Sequence, residues 1–172
     1  MFDILIREAG VRFGLGDKAL PFVQMLLACI TNSQDGGLPG FLEKFKAAGL
    51  EPAVQSWLGG GPAAQPITPT QLENVLGASG GPLALLTDRL DVARDSATAA
   101  LGYLLPPLVG LLTPGGNLPA SLPPEAAGMA ATGAHLLATP PAPEPISRVL
   151  IWFPWVMLAL AALVLAVYYL MR

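Results

Sequence analysis

The feature that most constrains this chain is an uncharged run near its end, from Val149 to Met171. Its 23 residues would form a helix roughly 34 Å long, at about 1.5 Å per residue, and the hydrocarbon core of a bilayer is roughly 30 Å thick. A buried helix in a soluble domain rarely runs this long without a polar face. The run therefore predicts a single transmembrane helix within residues 146–172.

Both ends of the run carry side chains that suit the borders of a membrane. Aromatic rings favour the headgroup regions, and arginines reach from the hydrocarbon border into water. The predicted membrane-anchor residues are Trp152, Trp155, Tyr168, Tyr169, Arg148 and Arg172. Because one arginine stands on each side, the flanking charge does not decide the orientation of the helix.

The first residues of the chain do not resemble a secretory signal. Met1 to Gly14 contains four charged side chains, which leave no apolar stretch of the length a signal peptide needs. The C-terminal run would then be the first export signal to leave the ribosome. This order favours a cytoplasmic N-terminal domain, with the C-terminus on the far side of the membrane.

Composition excludes some partners and leaves others open. Only 12% of the residues are charged and the net charge is −3, with both signs mixed, which argues against nucleic-acid binding. The single cysteine, Cys29, allows no disulfide within the chain, and its apolar neighbours favour a small buried side chain. So few charges favour exposed apolar patches, which mark protein partners or self-association.

Residues 1–116 alternate helix-like apolar spacing with glycine and proline, and no stretch has the pattern of a strand. The fold class predicted is all-α, an irregular multihelical domain of short helices. The predicted helices cover residues 2–13, 18–31, 38–48, 50–58, 68–76, 82–91 and 95–112. Thr68 before Pro69 is a strong start signal, whereas Pro106 and Pro107 predict a kink or a break.

Further expectations concern helix starts and buried faces. Asp17 is predicted to cap the second helix, and either Asp95 or Ser96 the seventh. The inward-facing positions are predicted to include Leu20 and Ala48, among the larger apolar side chains.

Residues 117–145 are rich in alanine and proline and nearly uncharged, so they are predicted to form a tether. One weak helix is expected between Ala120 and Leu137, docked on the domain or on the membrane through Met129, Leu136 and Leu137. Residues 139–145 then form a semi-rigid spacer before the membrane helix.

Several blocks occur in a fixed order along the chain: Gly36-Gly-Leu-Pro-Gly-Phe-Leu, Val54-Gln-Ser-Trp-Leu-Gly, Pro66-Ile-Thr-Pro-Thr-Gln-Leu, and Leu104-Leu-Pro-Pro-Leu-Val with Leu112-Thr-Pro-Gly-Gly. Together they resemble the YidB-like family, a bacterial domain of unknown function. The resemblance covers about residues 30 to 116 and implies an all-helical fold. It carries over no catalytic residues.

The opening Met1-Phe-Asp-Ile-Leu-Ile-Arg-Glu-Ala, with Arg12-Phe-Gly-Leu-Gly-Asp-Lys-Ala, resembles a subset of that family. In this subset a membrane helix and an OmpA-like peptidoglycan-binding domain follow. The resemblance implies a single-pass protein of the bacterial inner membrane. Because the chain stops one residue past the uncharged run, we expect that a periplasmic domain has been removed; a naturally short member is the alternative.

Catalytic and metal-binding signals are few. His135, the single histidine, lies in the tether without cysteine or carboxylate neighbours, so no metal site is predicted. Three aspartates at helical spacing alternate with arginines, which indicates a solvated charged face: Asp88, Asp91 and Asp95. The glycine clusters lack the Lys-Ser/Thr of a phosphate loop. We therefore expect no enzyme and no cofactor.

The sequence favours a non-enzymatic, membrane-anchored interaction or scaffold protein, with the bilayer and a protein partner or a second copy as its contacts. It could connect a cytoplasmic or membrane assembly to the cell envelope. The candidate interaction residues are Trp57, Phe41 and Phe45. The spacing of Trp57 with Val54 and Leu58 favours the core instead. The alternative function is a tethered helical domain that binds a small ligand or lipid in an apolar pocket.

Overall fold

The computed structural model describes residues 2–60, 64–78, 81–119 and 121–138. Throughout these ranges every regular element is helical and no strand occurs, which confirms the all-helical prediction. The α-helices are α1 (Phe2–Arg12), α2 (Ala19–Thr31), α3 (Gly37–Ala47), α4 (Glu51–Trp57), α5 (Pro69–Leu76), α6 (Pro82–Leu90), α7 (Arg94–Leu112) and α8 (Pro124–Ala138). Short 3-10 turns occupy Gly16–Lys18, Ser33–Asp35 and Pro114–Gly116.

The chain divides into two compact units, Met1–Thr139 and Pro140–Arg172. All eight described helices belong to the first unit, and this unit includes α8. The predicted transmembrane helix lies outside the described residues, and so do its anchor residues Trp152, Trp155, Tyr168, Tyr169, Arg148 and Arg172.

Two helices organise the first unit. α7 packs against α1, α4, α5 and α6, and α2 packs against α1, α3, α6 and α8. In the described part of the chain, α7 is the one helix long and apolar enough to cross a membrane. However, 67% of its apolar 18-residue stretch is buried inside the domain. Burial of this extent is typical of the central helix of a packed core.

The two prolines of α7 were predicted to kink the helix or to split it, and they do not split it. Helix α7 runs as one element from Arg94 to Leu112 with Pro106 and Pro107 inside it. Each proline removes one backbone donor from the helix. The fully buried side chains around them, such as Leu105 and Leu108, hold the segment in place, because apolar burial outweighs two missing hydrogen bonds.

Predictions of the residues that cap helices were right in one case and wrong in two. Thr68 caps α5 in a reciprocal capping box. The backbone N–H of Gln71 donates to Thr68 Oγ1 at 3.3 Å, and the backbone N–H of Thr68 donates to Gln71 Oε1 at 2.9 Å. Asp17 does not cap α2, because a 3-10 turn leads directly into that helix. Helix α7 begins after Ala93, so neither Asp95 nor Ser96 is its cap.

Two apolar side chains predicted to face inward are exposed instead: Leu20 and Ala48. Leu20 is 46% exposed because its neighbour Ala19 takes the core-facing position at the start of α2. Ala48 lies beyond the end of α3.

Candidate functional site

The three aromatic residues proposed as interaction residues form a buried cluster. Phe41 and Phe45 have ring centroids 5.1 Å apart, and Phe45 meets Trp57 edge to face at 5.6 Å. The Trp57 indole nitrogen donates to the backbone oxygen of Gln65 at 2.7 Å. All three rings are inaccessible, so they stabilise the packing of α3 on α4 and are not available to a partner.

An apolar stripe is exposed on α1, and we define it by Ile4 and Val11. These side chains are 68% and 83% exposed. Residues seven apart lie on the same face of a helix, two turns from one another. The opposite face of α1 buries Phe2, Leu5 and Ala9. The α1 stripe is therefore turned away from the core.

The position of α1 on the domain is fixed by a polar contact with α7. The Tyr103 hydroxyl donates to a carboxylate oxygen of Glu8 at 2.6 Å, and this hydrogen bond raises the pKa of Tyr103. The Arg12 guanidinium lies 4.9 Å from the centroid of the same ring, and Phe13 packs beside it. These contacts within the domain fix the orientation of the α1 stripe.

A groove of about 780 Å³ opens between α2, α6 and α8, and we call it the α8 groove. Its volume lies within the range of ligand sites, roughly 300–1,000 Å³. The apolar walls are lined by Ala28, Pro82, Leu85, Ala130, Ala134 and Leu137. At its polar end Lys44 Nζ lies 3.2 Å from Asp35 Oδ1, and the side-chain amide of Asn32 donates to Asp35 Oδ2 at 2.9 Å.

Cys29 places a thiol in the wall of the α8 groove. Burial raises the pKa of this thiol from 9.0 to about 11. The nearby Asp35 carboxylate adds to the increase, and Lys44 opposes it. Because the thiolate is the nucleophilic form, this thiol is poorly reactive at neutral pH. Cys29 is only partly buried, whereas its apolar neighbours predicted a small buried side chain.

α8 lies on α2 through its smallest residues. Ala126, Ala130 and Gly133 are buried, spaced i, i+4 and i+7, and so share one face of the helix. Gly133 touches the α2 backbone so closely that a methyl group there would overlap the carbonyl oxygen of Gln24. We define the α2–α8 interface by this contact.

The residues predicted to dock α8 do not form the α2–α8 interface. Leu136 is exposed, whereas Met129 and Leu137 are partly buried at its edge. The helix was expected from sequence, but its seating on small residues was missed. The signal that identifies it is the Ala126–Ala130–Gly133 spacing, because small residues allow two helix backbones to approach.

The three aspartates of the predicted solvated charged face, Asp88, Asp91 and Asp95, are exposed, as predicted. Arg94 forms a two-pronged ion pair with Glu73 of α5, with Nε–Oε1 at 2.8 Å and Nη2–Oε2 at 2.5 Å. The hydrogen bonds from Arg94 lower the pKa of Glu73. Asp91 ends α6 in the left-handed conformation, φ 47°, and its carbonyl oxygen accepts from Lys18.

Across the described residues, no three His, Cys, Asp or Glu side chains converge in a way that could hold a metal ion. His135 lies on α8.

The described residues thus define a small all-helical domain whose accessible features are an apolar stripe and an open groove. The family profile described as YidB-like protein matches residues 10–121, and the chain belongs to this family. It is similar to the Uncharacterized protein YidB of Escherichia coli (strain K12), with 29% identity over 85 residues. The aligned part is 49% of this chain and 63% of that protein, so less than two thirds of the relative is covered. No solved structure matches.

Proposed function

We propose that this protein is a non-enzymatic interaction module anchored in the bacterial inner membrane, with its helical domain on the cytoplasmic side. The observation that carries the proposal is the α1 stripe. Ile4 and Val11 present large apolar side chains to solvent on a helix whose orientation is fixed by the core. Contact surfaces of this kind combine an apolar centre with a polar rim.

The surroundings of the α1 stripe fit such a rim. Arg7 lies between Ile4 and Val11 on the exposed side of α1, and Asp3 and Arg12 are exposed on the same helix. A partner face would therefore be apolar at its centre and carry both charge signs at its edge. The uncharged run after the domain supports the anchor, because it has the length and border residues of a membrane helix.

The experiment places a photo-reactive amino acid at position 11 of the full chain, in its native membrane. The matched control carries it at position 55, where Gln55 is an exposed polar residue of α4. We expect a discrete cross-linked species from position 11 that is absent from position 55. Equal labelling from both positions, or none from position 11, would contradict the proposal.

The second candidate is binding of an apolar ligand or a lipid acyl chain in the α8 groove. The observation that favours it is the combination of apolar walls from three helices with a polar end at Asn32, Asp35 and Lys44. Native mass spectrometry of the full chain, released from mild detergent, would detect a retained lipid. Ala134→Trp fills the groove and should remove the ligand, whereas Thr132→Trp, on the exposed side of α8, should not.

A further inference from the structure

We propose that the α8 groove binds an amphiphile with a single acyl chain and a zwitterionic phosphoethanolamine head, and that Lys44 and Asp35 bind the two charges of that head. The inference rests on the second candidate function, because it names the ligand of the same groove. It does not depend on a partner at the α1 stripe. The volume of the groove, the charge of its polar end and the side chains of its lining each narrow the class of ligand.

The apolar part of the groove is walled mainly by short side chains. Ala130 and Ala134 stand one turn apart on α8, and Ala28 of α2 lines the groove with them. Leu85 of α6 and Leu137 of α8 add larger apolar contacts. These side chains offer dispersion contacts and no hydrogen bonds, so this part of the groove suits a hydrocarbon chain.

The volume limits how much hydrocarbon the groove can hold. It measures about 780 Å³, and a methylene group fills about the space of one water molecule, roughly 30 Å³. An acyl chain of about 16 carbons then needs roughly 480 Å³, and two such chains need roughly 960 Å³. The groove therefore accommodates one chain together with a head group, whereas a second chain exceeds its volume.

The polar end of the groove carries one charge of each sign. Among the described residues that line the groove, Lys44 and Asp35 are the charged ones. Their side chains pair at 3.2 Å and are 42% and 49% exposed. A surface ion pair of this kind contributes little to stability, so a ligand can separate the two groups and bind both. A phosphate then faces the Lys44 ammonium, and a cation of the same ligand faces the Asp35 carboxylate.

The head that fits these two charges is itself zwitterionic. An anionic head is attracted by Lys44 and repelled by Asp35, whereas a zwitterionic head is attracted by both. A primary ammonium suits Asp35, because it donates hydrogen bonds to a carboxylate. Quaternary ammonium groups are recognised by aromatic rings, and the described lining of the groove contains no aromatic residue. The side-chain amide of Asn32, which donates to Asp35 Oδ2 at 2.9 Å, orients the carboxylate at this end.

The experiment measures lipid binding to the full chain in mild detergent by native mass spectrometry. The probe is palmitoyl lysophosphatidylethanolamine. Each comparison lipid changes one property: lysophosphatidylglycerol has an anionic head, lysophosphatidylcholine has a quaternary ammonium, and dipalmitoyl phosphatidylethanolamine has two chains. We expect one bound probe molecule per protein chain and at least tenfold weaker binding of each comparison lipid.

Two charge variants at the polar end test the recognition of the head. Asp35→Asn removes the anion, so the preference should shift at least tenfold toward lysophosphatidylglycerol. Lys44→Gln removes the cation and should weaken binding of the probe at least tenfold. Lys46→Gln is the matched control and should change neither affinity, because Lys46 lies on the same helix outside the groove lining and pairs with Glu43.

The outcomes separate the inference from the functions proposed above. Equal binding of the probe and the comparison lipids, all lost in Ala134→Trp, overturns the inference and keeps an acyl-chain site in the groove. Equal binding of the two-chain lipid alone overturns the assignment of a single-chain ligand. If the wild type binds no probe, or if Ala134→Trp leaves binding unchanged, both the inference and the second candidate function are wrong. The interaction module is then judged independently, by cross-linking from position 11.

Discussion

Trp57 is the residue at which packing and hydrogen bonding coincide. Its ring is fully buried against Phe45, and its indole nitrogen bonds to the Gln65 carbonyl across a stretch that includes Gly59 and Gly60. One side chain therefore ties the end of α4 to the segment that leads into α5.

Replacing Trp57 by phenylalanine should lower the free energy of unfolding by about 1–3 kcal/mol, because it removes one hydrogen bond and leaves a cavity. Denaturant unfolding of the full chain, followed by circular dichroism, measures the change. Gln55→Ala, an exposed substitution on the same helix, is the control and should stay within about 0.5 kcal/mol. Equal effects would refute the role given to Trp57.

Cys29 should make stability depend on pH in the alkaline range. Its pKa is raised from 9.0 to about 11 in the folded protein. Between these values the unfolded chain has lost the thiol proton and the folded chain retains it, so stability falls as pH rises. Wild type should lose more stability than Cys29→Ala between pH 9 and 11. Parallel curves for the two proteins would contradict this.

The same burial predicts slow alkylation of Cys29. At about pH 8 its thiolate fraction is far below that of an unburied thiol, so iodoacetamide should react much more slowly with the folded chain than with the urea-unfolded chain. Mass spectrometry at timed intervals gives both rates. Similar rates in the two states would mean that the thiol is accessible.

Single-residue features were predictable where the chemistry is local. The Thr68–Gln71 capping box depends on residues three apart, and its sequence pattern was sufficient. Asp17 failed as a cap because the preceding turn continues into α2. The exposure of Leu20 was also missed, since Ala19 faces the core at that point of α2, and only the tertiary arrangement reveals it.

At the scale of elements, α8 offers a matched pair of glycines in one helix. Gly133 touches the α2 backbone, whereas a methyl group added at Gly128 would meet nothing within 4 Å. Gly133→Ala should destabilise by about 1–3 kcal/mol through overpacking. Gly128→Ala should stabilise by about 0.5–1 kcal/mol, because alanine is the better helix former.

Thermal unfolding of both variants tests this pair, since opposite shifts of Tm are expected. If Gly133→Ala is as stable as the wild type, α8 is not seated on α2 as described. If both alanines stabilise, helix propensity alone governs α8.

The small residues of the α2–α8 interface also explain why α8 was predicted as a weak helix docked by larger side chains. Hydrophobic periodicity is dominated by large apolar side chains such as leucine and methionine. It therefore predicted docking through Met129, Leu136 and Leu137. The helices approach through Ala126, Ala130 and Gly133 instead, where the gain comes from close contact rather than from large side chains. An apolar pocket was among the sequence-based alternatives, but the position of the α8 groove was not predictable, because it forms where three separate helices meet.

At the scale of the whole molecule, one substitution tests the predicted anchor. Leu163 lies near the centre of the uncharged run. Leu163→Arg should disfavour membrane insertion by about 2.5–3.5 kcal/mol and move much of the chain into the alkali-extractable fraction. Leu136→Arg, on the exposed side of α8, should leave the distribution unchanged. An unchanged distribution for Leu163→Arg would refute a membrane span there.

The central position of α7 has a consequence for amide hydrogen exchange. A helix packed against four others exposes its amides only when the domain opens as a whole, so the slowest-exchanging protons should be found there. Pro106 and Pro107 carry no amide proton, so the series of protected amides is interrupted within the helix. In an exchange experiment the helix would therefore appear as two separate protected segments. The two segments should nevertheless exchange at one common limit, which would identify α7 as a single cooperative unit.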